Sequence, residues 1–331
     1  MRWKIALVLV FTLACLVWVL WGIDPANVAV SLGTFRWERM FWVFVLYAAT
    51  HALRVVRMRW ILGVPIRFLP LLSIVSVGYL AINVTPLRMG ELVRPWLLAE
   101  REGVPFGAGM AAVFVERLVD MVALLVMLWI VAFGVDLHDR TVIVQDIDLL
   151  AFGQRAVGGI VVLGTGGIVG LVLLGERALR WTDRLPLGTL VRRFVEGLRG
   201  LVARPREMAA IAGITALIWL TTLWSVQVSL SAFPGFPHDL VSALQVWTLT
   251  LLGMAAIPTP GFFGGFEAAC VGGMALIGVG GDEARTFAII LHLCQFGFTV
   301  AWGLCFLIYE GLSLREVVDQ SQRALHAPPK G

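Results

Sequence analysis

Charge is scarce in this chain. Only 15% of its 331 residues are Asp, Glu, Lys or Arg, where a soluble domain carries about a quarter. Lysine occurs at Lys4 and Lys330 alone, so the net charge of +4 rests on arginine. The four cysteines (Cys15, Cys270, Cys294, Cys305) all lie in apolar stretches, with no C-x-x-C spacing. That argues against a disulfide framework or a zinc site and for small buried hydrophobes. A serine nucleophile elbow, a His-rich metal motif, a P-loop and a dinucleotide fingerprint are all missing, so no metal or cofactor is expected. So are aromatic-basic RNA motifs and zinc-finger spacings. The basicity therefore points to membrane orientation and anionic headgroups, with no nucleic-acid partner.

What fills the chain instead is apolar. It is 59% hydrophobic and carries 13 tryptophans, the ring type that anchors at membrane interfaces. The composition predicts an all-α polytopic integral membrane protein. Arg2 and Lys4 precede an uncharged run from Ile5 to Ile23, which suits a retained span of roughly 20 residues better than a signal-peptide core. Further spans are expected at about 40–62, 107–134, 157–174, 208–233 and 284–309. Interrupted segments lie at 69–103 and about 240–280. The sum is six full transmembrane helices and two re-entrant or broken hairpins.

Arginine placement orients them. The loop 175–206 holds eight arginines against three acids, while 135–148 holds four aspartates and one arginine. The first belongs in the cytoplasm and the second outside. Both termini then fall inside an expected plasma (inner) membrane, if each broken segment enters and leaves on one face. Apolar residues among those arginines (Leu179, Trp181, Phe194) suggest an amphipathic helix on the inner leaflet. The chain reads as one transmembrane domain over 1–331. It comprises a first helix 5–23, a repeat over about 40–134, and a linking helix with basic loop over 157–206. A second repeat at about 208–311 and a short tail 312–331 complete it. The repeats have the same parts in opposite directions, the layout of inverted-topology transporters.

The two interruptions resemble each other. One reads Thr85-Pro86-Leu87-Arg88-Met89-Gly90-Glu91, the other Thr259-Pro260-Gly261-Phe262-Phe263-Gly264-Gly265-Phe266-Glu267. Proline disfavours helix in the residue before it, so both threonines are stopping points. Irregular backbone at membrane depth persists only inside protein or beside water, so each break should line a cavity. A helix restarting after the proline would offer free N–H groups to an anion there. Gly261, Gly264 and Gly265 would let backbone approach closely. The bland alternative is an ordinary proline-kinked helix.

Charged residues sharpen this. Arg88, Glu91 and Arg94 share a helix face at three-residue spacing. Either they line the cavity, with Glu91 paired to Arg88 or Arg94, or Arg94 and the later Arg101 snorkel to headgroups. Glu116, Arg117 and Asp120 lie about mid-depth and form one polar patch. Each such charge costs about 2.5–3.5 kcal/mol at a helix centre. They must face the interior, as an ion-pair clasp or as a headgroup or proton site. Arginine's planar fork suits phosphate. His51, His292 and Gln295 also lie within spans, either as proton carriers or, the commoner fate, in a satisfied helix–helix hydrogen bond.

Three runs together carry a resemblance: Thr85-Pro86-x-Arg88-x-Gly90-Glu91-x-x-Arg94, Glu116-Arg117-x-x-Asp120, and Pro260-Gly261-x-x-Gly264-x-x-Glu267. In this order they resemble the transmembrane region of the lysylphosphatidylglycerol synthase/flippase family, over roughly residues 5–311. The resemblance implies a membrane protein related to a lipid flippase, with a lipid-synthesis enzyme as a partner. Only about 20 residues follow the last span, so a soluble aminoacyl-transferase domain is not expected here.

The leading expectation is a lipid translocator. Arg88, Glu91, Arg94, Glu116, Arg117, Asp120 and Glu267 would form a polar midplane site. Thr85, Pro86, Gly90, Thr259, Pro260, Gly261 and Gly264 would shape the breaks. The substrate would be an anionic phospholipid or a polyprenyl-phosphate lipid. A lipid-modifying membrane enzyme and a non-transporting partner of a synthesis enzyme are the alternatives; the first lacks an evident nucleophile. Oligomeric state is not readable.

Overall fold

The computed structural model describes residues 24–85, 90–134, 204–256 and 259–317, with a few isolated positions elsewhere. Most of the expected first helix, the span 157–174, loop 175–203, the tail beyond 319, Cys15, Pro86 and Arg88 lie outside the described residues. Among the described residues the chain is helical, except for a two-residue ladder pairing Ile143–Val144 with Ile147–Asp148.

Among the described residues nine main helices follow in order: α1 Pro25–Thr34, α2 Glu38–Leu62, α3 Phe68–Val84, α4 Val93–Glu102, α5 Phe106–Trp129, α6 Pro205–Leu230, α7 Leu240–Ala256, α8 Gly265–Leu276 and α9 Gly281–Tyr309. Of these, α2, α6 and α9 are long and apolar enough to cross a membrane. Helix α5 is comparable in length, at 24 residues, and runs into a π-turn over Ile130–Gly134; it carries Glu116, Arg117 and Asp120. The sixth helix starts at Pro205, three residues earlier than expected. Proline is at ease in a first helical turn, whose N–H would have no partner anyway.

The surface of α2 is what a lipid-facing helix requires. Trp42 and Trp60 are both exposed and lie about 27 Å apart along the axis at 1.5 Å per residue, near the ~30 Å hydrocarbon thickness.

By contrast, α3 is buried on every side from Leu71 to Ile82. An all-round apolar helix belongs at a centre. It packs against α2, α4, α9 and the turn at Pro260–Phe262, with Val55, Leu97, Leu98 and Leu307 in the same core. Gly63 and Gly103, both at φ 66°, close α2 and α4 in the left-handed conformation. Residues 1–113 with 217–331 form one compact unit and residues 114–216 another. Both interruptions lie in the first.

The second interruption is framed by α7 and α8, which press together where side chains are smallest. A Cβ on Gly273 would sit 2.8 Å from the Cα of Val246, the close approach that small residues permit between membrane helices. Asp239 caps α7, accepting from the Ser242 N–H (2.9 Å) and hydroxyl (2.7 Å). The hydroxyl's hydrogen bond holds the Asp239 carboxyl below the usual carboxylate range. Its stabilisation is therefore full above the unfolded value of about 3.9 and is lost as pH falls through the lowered folded value. Asp239→Ala is expected to cost about 1 kcal/mol near neutral pH. Melting curves of the two proteins should converge on acidification.

Candidate functional site

At the first interruption one hydroxyl ties both ends. Thr85 closes α3 by donating to the Ala81 carbonyl (2.6 Å) and accepts the Gly90 N–H across the gap (3.0 Å). Gly90 opens a 3-10 turn over 90–92 and rests on the backbone of Ala81 and Ile82. Glu91, in that turn, is half-buried.

Arg94 follows in the first turn of α4 and is fully buried. It does not snorkel. The reason lies on α3: Gly78 has no Cβ, and the Arg94 side chain lies across the space one would fill. Its guanidinium stands over the Tyr79 ring at 5.1 Å, and Arg54, from α2, stands over the same ring at 4.7 Å. A ring face attracts cations, and two guanidiniums meet at this one. Arg101 pairs with Glu310 (3.3 Å), whose other oxygen accepts from Ser73 (2.6 Å). Arg101 is thus a tie between the ends of α4 and α9, with 42% of its side chain exposed.

His51 lies edge-on to Tyr79 at 5.7 Å. Its Nδ1 bonds the Tyr47 carbonyl of its own helix (3.0 Å), and its buried Nε2 finds no hydrogen-bond partner among the described residues. The expected helix–helix bond is not what satisfies this histidine, because aromatic rings (Tyr79, Phe298, Trp302) surround it.

The second interruption is built differently. Helix does not restart directly after the proline: Pro260–Phe262 form a 3-10 turn, and α8 begins at Gly265. Gly261 (φ 62°), Phe262 (φ 63°) and Gly264 (φ 84°) all take left-handed backbone. Glycine adopts it freely, whereas for a bulky residue such as Phe262 it is strained. Thr259 donates to the Phe263 carbonyl (2.8 Å), so here too a threonine hydroxyl spans the gap.

At the start of the restarting helix, where free N–H groups were expected to face an anion, the N–H of Gly264 is taken by the chain itself. It donates to Glu267 Oε2 at 2.7 Å, a first-turn carboxylate reaching back as in a capping box. The other carboxylate oxygen meets His292 Nδ1 at 2.7 Å, and His292 Nε2 donates to the Gly261 carbonyl at 2.9 Å. Phe266 stacks on the imidazole, with centroids 4.3 Å apart. His292 and Glu267 are both buried. His292 thus makes the interhelical bond expected of it, to a partner that sequence did not name.

In the second unit, Arg117 donates to Glu116 (2.9 Å) and lies 3.5 Å from Asp120. Glu116 is buried and the other two are partly so. Of the cysteines, Cys270 is buried and the Cys294 thiol is 3.7 Å from the Met40 sulfur. Cys305 is exposed, against the expectation of burial; it lies on the outward side of α9. Among the described residues no group of three His, Cys, Asp or Glu side chains gathers to hold a metal ion.

Two interrupted helices beside long apolar ones, with buried arginine and glutamate at the gaps, can be set against known proteins. Residues 3–303 match the family described as the lysylphosphatidylglycerol synthase TM region. The chain belongs to this family. As a member of the synthase TM-region family it is a multi-pass membrane protein. It is similar to glycosyltransferase AglD of Haloferax volcanii, with 25% identity over 337 residues, covering 90% of this chain and 53% of the relative. The chain thus spans about half the length of that protein. It is also similar to the UPF0104 membrane protein of Methanothermobacter thermautotrophicus, with 21% identity and 91% of each chain covered. No solved structure matches.

Proposed function

We propose that this family member is a translocator that carries a lipid with an anionic, phosphate-bearing headgroup across its membrane. The observation that supports this most is the pair of arginines on Tyr79. Arg94 is wholly enclosed and Arg54 half so, and both guanidiniums stand about 5 Å from one ring. Converging cations favour an anionic ligand, and arginine's fork bonds two phosphate oxygens at once. In this reading six full spans and two re-entrant hairpins form an inverted repeat, with both termini cytoplasmic. Arg88, Glu91, Arg94 and Glu267 serve the headgroup path. The Glu116–Arg117–Asp120 patch serves as a headgroup site or an ion-pair clasp within its own unit. Tails stay in lipid, and the substrate is an anionic phospholipid or a polyprenyl-phosphate-type lipid.

Purified protein in liposomes should move labelled lipid of at least one of these headgroup classes faster than empty liposomes. No movement for any class sinks the proposal. The glycosyltransferase relative favours one competing reading, a membrane region that serves a glycan-assembling enzyme without moving lipid itself. That reading expects no movement by the protein alone and capture of the enzyme from membranes.

The inverted arrangement has its own check. Single cysteines at Glu91 and at Phe263, in a cysteine-free background, should react with impermeant reagent from opposite sides of the membrane, inside for the first and outside for the second. Labelling of both from one side rules the arrangement out.

A further inference from the structure

The hydrogen bonds around His292 count protons. Its Nε2 lies 2.9 Å from the Gly261 carbonyl, and a carbonyl only accepts, so Nε2 carries hydrogen. Its Nδ1 lies 2.7 Å from Glu267 Oε1. A neutral imidazole with Nε2–H presents a lone pair at Nδ1, and an ionised carboxylate presents only lone pairs as well. Two lone pairs do not meet at 2.7 Å inside an apolar core. A second proton must lie between them, carried by the ring as imidazolium or by Glu267 as the acid. Oε2 is already committed to the Gly264 N–H, so the carboxyl cannot turn away without breaking that bond.

The surroundings leave the pair to itself. On α8 the other titratable side chain is Cys270, buried and hydrogen-bonded to Thr250. Helix α7 contributes no charged residue, and α3 contributes only Tyr79 among titratable groups. Asp24 at the start of α1 faces Asp282, and α9 has Asp282, Glu283 and Arg285 more than a turn and a half before His292. Cys294 faces Met40 on α2, while Tyr47, His51 and Arg54 of α2 gather about Phe298, Trp302 and Tyr79. Among the described residues His292 is the basic side chain paired with Glu267, so the proton they share is what neutralises the carboxylate. Phe266 and Phe263 pack on the imidazole.

We infer that Glu267 and His292 form a proton-binding site whose single shared proton clasps the second interruption to α9. When the proton departs to water, Glu267 is left as a carboxylate and His292 as neutral imidazole. The pair's charge changes from zero to minus one. Nε2–H keeps the Gly261 carbonyl, Glu267 keeps the Gly264 N–H, and the Oε1–Nδ1 contact opens because nothing lies between the atoms. The turn at Pro260–Phe262 keeps its own bond to α9, from His292 Nε2 to the Gly261 carbonyl, and loses the second tie that ran through Glu267 of α8. That turn packs against α3, the helix that ends in the first interruption, so release is felt at both. The clasp is present while the pair holds this proton and is lost when the proton leaves. This goes beyond the lipid reading and needs no lipid to be carried.

Glu267→Gln is the decisive variant. Its amide oxygen can accept the Gly264 N–H while its NH₂ donates to Nδ1 of a neutral ring, so every bond survives with no extra proton. The experiment follows ring ¹⁵N signals and backbone hydrogen exchange of residues 259–263 against pH, in full-length purified protein, with exchange corrected for its intrinsic pH dependence. His292 is identified as the histidine whose signal the substitution moves. In the wild type, a one-proton transition is expected in the Glu267–His292 pair. Exchange in the turn should rise about ten- to a hundred-fold with the same midpoint, the worth of one charge-assisted hydrogen bond. In Glu267→Gln the Nδ1 contact is made without the shared proton, so the turn should stay protected where the wild type loses protection. A wild-type pair whose state and protection do not change wherever the protein stays folded overturns the inference. So does an unchanged midpoint in Glu267→Gln. Because no lipid is present, neither result depends on whether the protein translocates one.

Discussion

Gly90→Ala is expected to disrupt the first interruption and lower stability by about 3 kcal/mol or more, at or above the upper end of what overpacking costs. A Cβ there would strike the carbonyl carbon of Ala81 and the nitrogen of Ile82, and would lie 2.7 Å from the Ala81 oxygen. These are backbone atoms of α3, and no rotamer change removes them. The same carbonyl already accepts the Thr85 hydroxyl and N–H, so a shift also loosens the cap. Gly213→Ala makes the same chemical change inside α6, where nothing lies within 4 Å of the new methyl. It should stabilise the protein by up to about 1 kcal/mol through helix propensity alone. Melting of both variants in one detergent checks the pair. Equal effects would show that the close contact on α3 carries no energy.

The contrast shows where sequence reasoning reaches and where it stops. Sequence marks Gly90 as part of a break and Gly213 as span interior, but the backbone of Ala81 and Ile82 against Gly90 has no one-dimensional signal. Thr-Pro does announce a break, because the restraint that proline places on the preceding residue is local. Charge spacing likewise placed Glu116, Arg117 and Asp120 on one patch, since i,i+3 and i,i+4 neighbours meet on any helix. Where the helices are described, hydropathy set their limits within a few residues, through the length a span needs. Arg94 and His292 were different. Whether Arg94 snorkels or is enclosed depends on Gly78, which precedes it by a whole interruption. The role of His292 depends on Glu267, on another helix, 25 residues away. A lone histidine in a span carries no sign of its partner. A glutamate two residues past a glycine pair did carry one: at N3 of a helix it reads as a capping residue, which would have warned that the N–H of Gly264 was already taken. The convergence of Arg54 with Arg94 was invisible for the same reason, as Tyr79, the ring they share, lies on a third element.

The enclosure of Arg94 makes it the residue on which the translocator reading is most exposed. Arg94→Gln removes the charge and keeps a shorter polar side chain. If Arg94 binds the phosphate with one or two charge-assisted hydrogen bonds, each worth about 1.5–3 kcal/mol, transport in liposomes should fall at least ten-fold, since 1.4 kcal/mol is a factor of ten. Destabilisation alone could imitate that fall, so the comparison needs a variant that displaces the charge without deleting it. Gly78→Ala does so: its methyl occupies the space the Arg94 stem crosses, pushing the guanidinium from its seat on Tyr79. A positioning role requires both variants to lose transport, and requires Arg94→Gln alone to lose selectivity for phosphate-bearing over neutral lipids at matched amounts of folded protein. A purely structural Arg94 would instead give variants whose transport tracks their melting temperature and whose headgroup preference is unchanged. That second pattern would remove the main physical support for an anionic headgroup at the first interruption.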